Sequence, residues 1–236
     1  MISLVLIGYL LSSSMTGTFA QQKDITPHSG IETGTITDDE GNVYQTVKIG
    51  SQWWMAENLR STKYRNGDPI PNVTNSADWA SLTTPGYCCY GNDFHTYGND
   101  YGLLYNWFTT DPASNGGREI APEGWHIPSR QEFSTLINTL GGLNEAGGKM
   151  KESGMTHWRP PNTGATNASG FTGLPAGIRG YVDGTFKYIG DFGHWWSRTP
   201  SDGNKAWNIG LFFLEYSVDQ SPSVKKLGFS IRCIKD

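Results

Sequence analysis

Val43-Tyr44-Gln45-Thr46-Val47-Lys48-Ile49-Gly50-Ser51-Gln52-Trp53-Trp54-Met55-Ala56 is the stretch that sets the fold class. Its first seven residues alternate and are rich in β-branched and aromatic side chains, as in a strand with two distinct faces. Gly50-Ser51 suits a two-residue turn joining antiparallel strands. Gln52 to Ala56 then returns as the second strand. The preceding cluster Asp38-Asp39-Glu40-Gly41-Asn42 reads as a solvated turn. Its spacing lacks the repeated acidic order and closing Glu of an EF-hand calcium loop.

Helix signals are few. Ser129 and Glu132 make a capping box, and Phe133, Leu136, Ile137 and Leu140 give one apolar face. Gly141-Gly142 supplies the stop. A shorter helix is expected over Ser76 to Leu82, and another over Glu145 to Glu152, weakened by Gly147 and Gly148. Late strands are expected at Trp195-Trp196-Ser197, Ala206 to Val218 and Phe229 to Ile234, separated by Pro, Gly, Ser, Asn and Asp clusters. Abundant Gly and aromatic residues with few helix signals read as a loop-heavy domain that contains β-structure.

At the start of the chain, the apolar run Leu4 to Leu11 is followed by small residues ending Thr18-Phe19-Ala20. This is the pattern of a cleavable signal peptide, and it is too short for a membrane-spanning helix. No Lys or Arg precedes the run, so the free amino group or a few upstream residues would supply the positive charge. Residues 1–20 are thus expected to be a signal peptide cleaved near Ala20, residues 21–33 a flexible leader and residues 34–236 one domain. The expected location is secreted, periplasmic or at the cell surface. No lipid anchor is expected, because no Cys sits at the cleavage site. The net charge of −4 argues against a nucleic-acid partner.

Three cysteines remain, Cys88, Cys89 and Cys233. Adjacent Cys88 and Cys89 have poor geometry for bonding each other. The simplest pairing joins Cys233 to one of them, worth about 4–5 kcal/mol on a chain-entropy model. The alternative is three buried, reduced thiols. The chain has no H-E-x-x-H, G-x-S-x-G, P-loop or dinucleotide motif, and no C-x-x-C pair. His28, His95, His126, His157 and His194 lack ligand spacing. Asn92, Asp93, Asn99 and Asp100 are weak calcium candidates whose plainer reading is Asx turns. Otherwise no metal or cofactor is expected. Trp53, Trp54, Trp125, Trp195, Trp196 and Trp207 lie in strand-like runs and read as core.

Several ordered blocks carry a family resemblance. They are Gly41 to Tyr44, Thr46 to Gly50, Gln52 to Leu59, Tyr105-Asn106-Trp107, Pro122 to Pro128 and Gly148 to Glu152. Asn162 to Asn167, Ser169-Gly170-Phe171, Trp195-Trp196-Ser197 and Gly228 to Cys233 complete them. From about Gly34 onward the chain resembles the Fibrobacter succinogenes major paralogous domain. The resemblance implies an α+β, C-type-lectin-like fold with short antiparallel strands, few helices and long loops, related to the sulfatase-modifying-factor and retroelement variable-protein groups, and a bacterial envelope or secreted setting. It implies no catalytic activity. The reactive cysteine pair of the formylglycine-forming enzymes has no counterpart here. Ala121 stands where many members have Cys, and this chain instead has the doublet Cys88-Cys89, so the resemblance alone does not assign a disulfide.

In lectin-like relatives the ligand surface lies on the late strands, which implies a site within Ala206 to Ser223. Strand alternation that turns Trp207, Ile209, Leu211 and Phe213 inward turns Asn208, Gly210, Phe212 and Leu214 outward. The candidate ligand-binding residues are Asn208, Phe212, Leu214, Glu215, Tyr216 and Asp219. The alternative is a strand pair buried on both sides. A binding module for a protein or glycan is the expected function. A hydrolase or modifying enzyme assembled in the fold, or a structural adhesin component, are the other readings.

Overall fold

A computed structural model describes residues 30–236. The expected signal peptide and the leader up to residue 29 lie outside the described residues. The first strand begins at Thr33, one residue before the expected domain boundary. Ile31 already packs against the core, and the Glu32 carbonyl accepts from the Lys48 amide.

The strands are β1 (Thr33–Thr37), β2 (Val43–Ile49), β3 (Gln52–Met55), β4 (Tyr87–Cys88), β5 (Leu104–Tyr105) and β6 (Trp125–His126). They continue as β7 (Ala176–Arg179), β8 (Phe186–Ile189), β9 (Phe192–Pro200), β10 (Lys205–Phe212), β11 (Asp219–Val224) and β12 (Ile234–Lys235). The α-helices are α1 (Ser76–Ser81), α2 (Asn99–Tyr101), α3 (Pro112–Asn115), α4 (Arg130–Thr139) and α5 (Leu143–Met150). One sheet has the order β1-β2-β3-β12-β6 and a second β11-β10-β9; β4-β5 and β7-β8 are two-stranded ribbons. These strands pair antiparallel throughout, so the chain is α+β. Among the described residues no helix is long and apolar enough to cross a membrane.

The β2–β3 hairpin forms as its sequence dictates, with Gly50 at a φ of 61° in the turn. Both of its faces are covered. Val47, Ile49 and Trp54 enter a core cluster beneath α4 and α5, while Tyr44 and Met55 enter a second cluster with Leu59, Tyr105 and Ile231. Trp54 stacks on Phe133 of α4 at 5.1 Å. Each such side chain taken from water contributes about 1.5–3 kcal/mol, so the two-sided hairpin is the spine of the domain. The acidic turn before β2 is also structural. Asp38 accepts from Tyr44, Ser61 and Asn42 side chains and from the amides of Glu40 and Asn42.

Helix α4 carries the expected capping box and buries Phe133, Leu136 and Ile137. Its capping Glu132 does a second job. The His126 Nε2 is 2.8 Å from Glu132 Oε1, and its Nδ1 is 2.6 Å from Asp236 Oδ1. Burial disfavours the imidazolium, but the bonds to Asp236 and Glu132 outweigh it and raise His126 above 6.5. For Glu132, burial acts upward and is outweighed by the Ser129 and His126 bonds, which lower it below 4.5. The His126 contribution to stability is therefore complete below pH 6.5 and lost as pH rises through its raised folded value. The Glu132 contribution is complete above pH 4.5 and lost as pH falls through its lowered folded value. Urea midpoints should thus fall on the alkaline side of this window, and His126→Gln should flatten that fall. Identical pH profiles for the two chains would contradict the assignment.

Candidate functional site

Four of the recognised blocks meet in one buried network. Asn58 Oδ1 accepts from Trp195 Nε1 and from Arg232 Nε, both at 2.8 Å. Asn58 Nδ2 donates to the Tyr101 carbonyl at 2.8 Å and to Ser230 Oγ at 3.2 Å. The Arg232 guanidinium also donates to the carbonyls of Phe171 and Thr172. It lies over the Phe171 ring, 4.2 Å from its centroid. Asn58, Trp195 and Arg232 are fully or almost fully buried. The side chains at its centre are closed off from solvent, so they hold the fold together rather than meet a ligand.

A different set of residues builds a surface cleft of about 430 Å³. Glu145, Gly148 and Lys149 come from α5, Gly164, Thr166 and Ala168 from the following loop, and Tyr216 from the β10–β11 connection. Two glycines in α5 allow this assembly. A Cβ at Gly147 would stand 2.1 Å from the Ser217 carbonyl oxygen, and one at Gly148 2.3 Å from the Gly164 carbonyl oxygen. Without side chains there, three backbones close on one helical turn. The Gly148 amide donates to the Tyr216 carbonyl at 2.9 Å, and the Thr166 amide to the Gly148 carbonyl at 2.8 Å. The Tyr216 side chain rests on this floor, and the residue is 56% exposed. Beside it stand the Glu145–Lys149 ion pair, at 3.3 Å, and Thr166. A flat ring flanked by polar side chains can stack on an apolar face while its neighbours take hydrogen bonds.

The proposed ligand residues divide. Leu214, Glu215 and Tyr216 are exposed together on the β10–β11 connection. Asp219 begins β11 half-buried, accepting from Ser221 Oγ at 2.6 Å. Phe212 is half-buried, its ring 5.0 Å from Phe192 and 5.5 Å from His194. Asn208 corrects the expectation outright. It is 1% exposed, donates to the Ser221 carbonyl at 2.7 Å and faces His194 Nδ1 at 3.2 Å. Gly210, also expected outward, is buried as well. Simple alternation fails because β10 is covered on both faces.

The disulfide expectation is corrected too. Cys88, Cys89 and Cys233 are free and buried. Cys88 packs with Trp79 and Leu104, and Cys89 and Cys233 sit in the cluster of Tyr44 and Leu59. Burial pushes Cys88 up to about 12, Cys89 up to about 11 and Cys233 well above its usual value. These are apolar fillers with little thiolate. Asp93 caps the next turn, accepting from the Thr96 amide and hydroxyl, which lowers its pKa. Asn92 donates to the Thr74 carbonyl at 3.0 Å. Asn99 and Asp100 open α2. Among the described residues no three His, Cys, Asp or Glu side chains converge as a metal group.

Among the described residues the histidines do not come together as one site. His157 Nδ1 meets the Glu152 carboxylate at 2.8 Å, and His194 stacks on Phe229 at 4.6 Å. Of the cleft, the late-strand reasoning anticipated only Tyr216. The helical pair Gly147-Gly148 was the available signal for the rest, because glycines that weaken a helix often mark a close backbone approach.

Comparison with known families places the chain. The family model described as Fibrobacter succinogenes major domain matches residues 47–235, most of the chain. No curated protein and no solved structure matches.

Proposed function

We propose a function from one premise: the chain belongs to the Fibrobacter succinogenes major domain family. It is an exported, non-catalytic binding module that recognises a protein or glycan ligand outside the cytoplasm. The combination of antiparallel sheets with helices α4 and α5 packed on them supports a C-type-lectin-like architecture for it. The exposed Tyr216 ring above its glycine floor is the observation that carries the binding reading. A glycan is the ligand class this favours, because a sugar ring offers an apolar face to Tyr216 and hydroxyls to Glu145, Lys149 and Thr166. The reading needs no cofactor.

On a glycan array, the mature chain should bind a restricted set of sugars. Tyr216→Ala should weaken that binding by at least about tenfold, or 1.4 kcal/mol, with the urea midpoint unchanged. Undiminished binding by a folded Tyr216→Ala chain would remove the cleft as the site. Export has its own check. The chain recovered outside the cell should begin near Gln21, and an intact Met1 there would contradict the leader reading.

A further inference from the structure

Lys151 directly follows α5 and is fully buried. Its Nζ donates to three backbone carbonyls: Thr163 at 2.9 Å, Phe212 at 3.1 Å and Glu215 at 2.6 Å. These oxygens belong to the loop after α5, the end of β10 and the residue before Tyr216. An ammonium has three donors, and here each has a carbonyl. The Trp158 ring lies 5.4 Å from Nζ. Burial pulls Lys151 down to about 8, opposed by the Glu215 charge, so the ammonium still prevails at neutral pH. With every N–H engaged and no exposure, Lys151 is not a free amine awaiting a substrate. Carbonyl oxygens gathered from separate segments around one positive charge are also how an inorganic cation orders loops.

We propose that Lys151 is a tethered structural cation that holds the Tyr216 loop and the Thr163 loop in register across the cleft. It is a positioning residue, and its role at the cleft rests on the binding reading given above. The Thr163 amide donates to the Phe213 carbonyl at 2.8 Å, so the two loops the ammonium joins are also tied to each other. Removing the charge takes the ammonium from the Thr163 and Glu215 carbonyls and leaves the Phe212 carbonyl with only the Glu215 amide, at 3.2 Å, so the segments that carry them are free to part.

Hydrogen exchange without ligand tests this. In Lys151→Met, which keeps the apolar stem, the amides of Gly148, Thr163 and Glu215 should exchange at least about tenfold faster, while those of β2 and α4 keep their protection. In Lys151→Ala, propylammonium chloride, which matches the atoms removed, should restore the slow exchange. Unchanged exchange in the Met variant, or no restoration in the Ala variant, overturns the proposal. Should neither variant fold, nitrogen NMR of the native chain decides. A slowly exchanging Lys151 ammonium coupled to the Phe212 and Glu215 carbonyls is expected, and a rapidly exchanging one overturns it. These readouts use no ligand, so full glycan binding by Tyr216→Ala would sink the cleft reading and leave this one standing.

Discussion

Asn58→Leu should destabilise the folded chain by about 3–5 kcal/mol. The side chain serves both as acceptor and as donor inside the core. Removing it strands Arg232 Nε, Trp195 Nε1 and the Tyr101 carbonyl at once. Each orphaned buried group costs about 1–3 kcal/mol, more where it is charged, and the terms do not add because they share one network. Leucine has about the right volume, so lost packing is a minor part of the effect. A domain of ordinary stability holds about 5–15 kcal/mol in total, so the loss takes up a large share of it. Equilibrium urea unfolding measures it directly. Asn66→Ala, at an exposed turn, is the control. A loss below about 1 kcal/mol for Asn58→Leu would mean that the network is not the frame of the fold.

Gly147→Ala sets two effects against each other. Helix propensity alone favours alanine over glycine by about 1 kcal/mol. The added Cβ, however, would meet the Ser217 carbonyl oxygen at 2.1 Å, the Ser217 carbonyl carbon at 2.6 Å and the Tyr216 carbonyl oxygen at 2.8 Å. All three are backbone atoms, so no side-chain rotation relieves the contact. Overpacking of this kind costs about 1–3 kcal/mol, and contacts this short lie at the upper end. A net loss of about 2 kcal/mol is expected, together with weaker binding at the cleft, because Tyr216 is carried by the segment that must move. Gly203→Ala should be nearly silent, since a Cβ there meets nothing within 4 Å. Stabilisation by Gly147→Ala would show that α5 and the Tyr216 segment are not in close register.

These two substitutions mark what was legible in the sequence. The β2–β3 hairpin, the α4 capping box and helix α1 could be read locally, because their turn and cap residues lie within a few positions of the backbone they organise. Four of the six tryptophans read as core are buried, Trp54, Trp125, Trp195 and Trp196, while Trp53 and Trp207 are only half-buried, Trp207 beneath the Arg130 guanidinium. Asn58 and Arg232 were visible only as members of two blocks, since nothing in their spacing says that the blocks meet. Asn208 misled because alternation predicts its face only where one side of a sheet is wet. Here Ile209 and Leu211 fill the main core while His194 and Ser221 close over Asn208 from the neighbouring strands. The cysteines misled because their sequence order carries no information about the direction of their side chains. The cleft was hidden behind a local weakness, a glycine pair inside a helix, whose use appears only when Tyr216 and Gly164 are brought onto it.

The most direct measurement is hydrogen exchange of the native chain with and without a glycan selected on the array. Protection is expected at Gly148 and Lys149, across Gly164 to Ala168 and at Tyr216 and Ser217, with the amides around Asn58 and Arg232 unchanged. Protection confined to the Asn92–Asp100 segment or to the face of Glu152 and His157, with the cleft unaltered, would contradict Tyr216 as the centre of recognition.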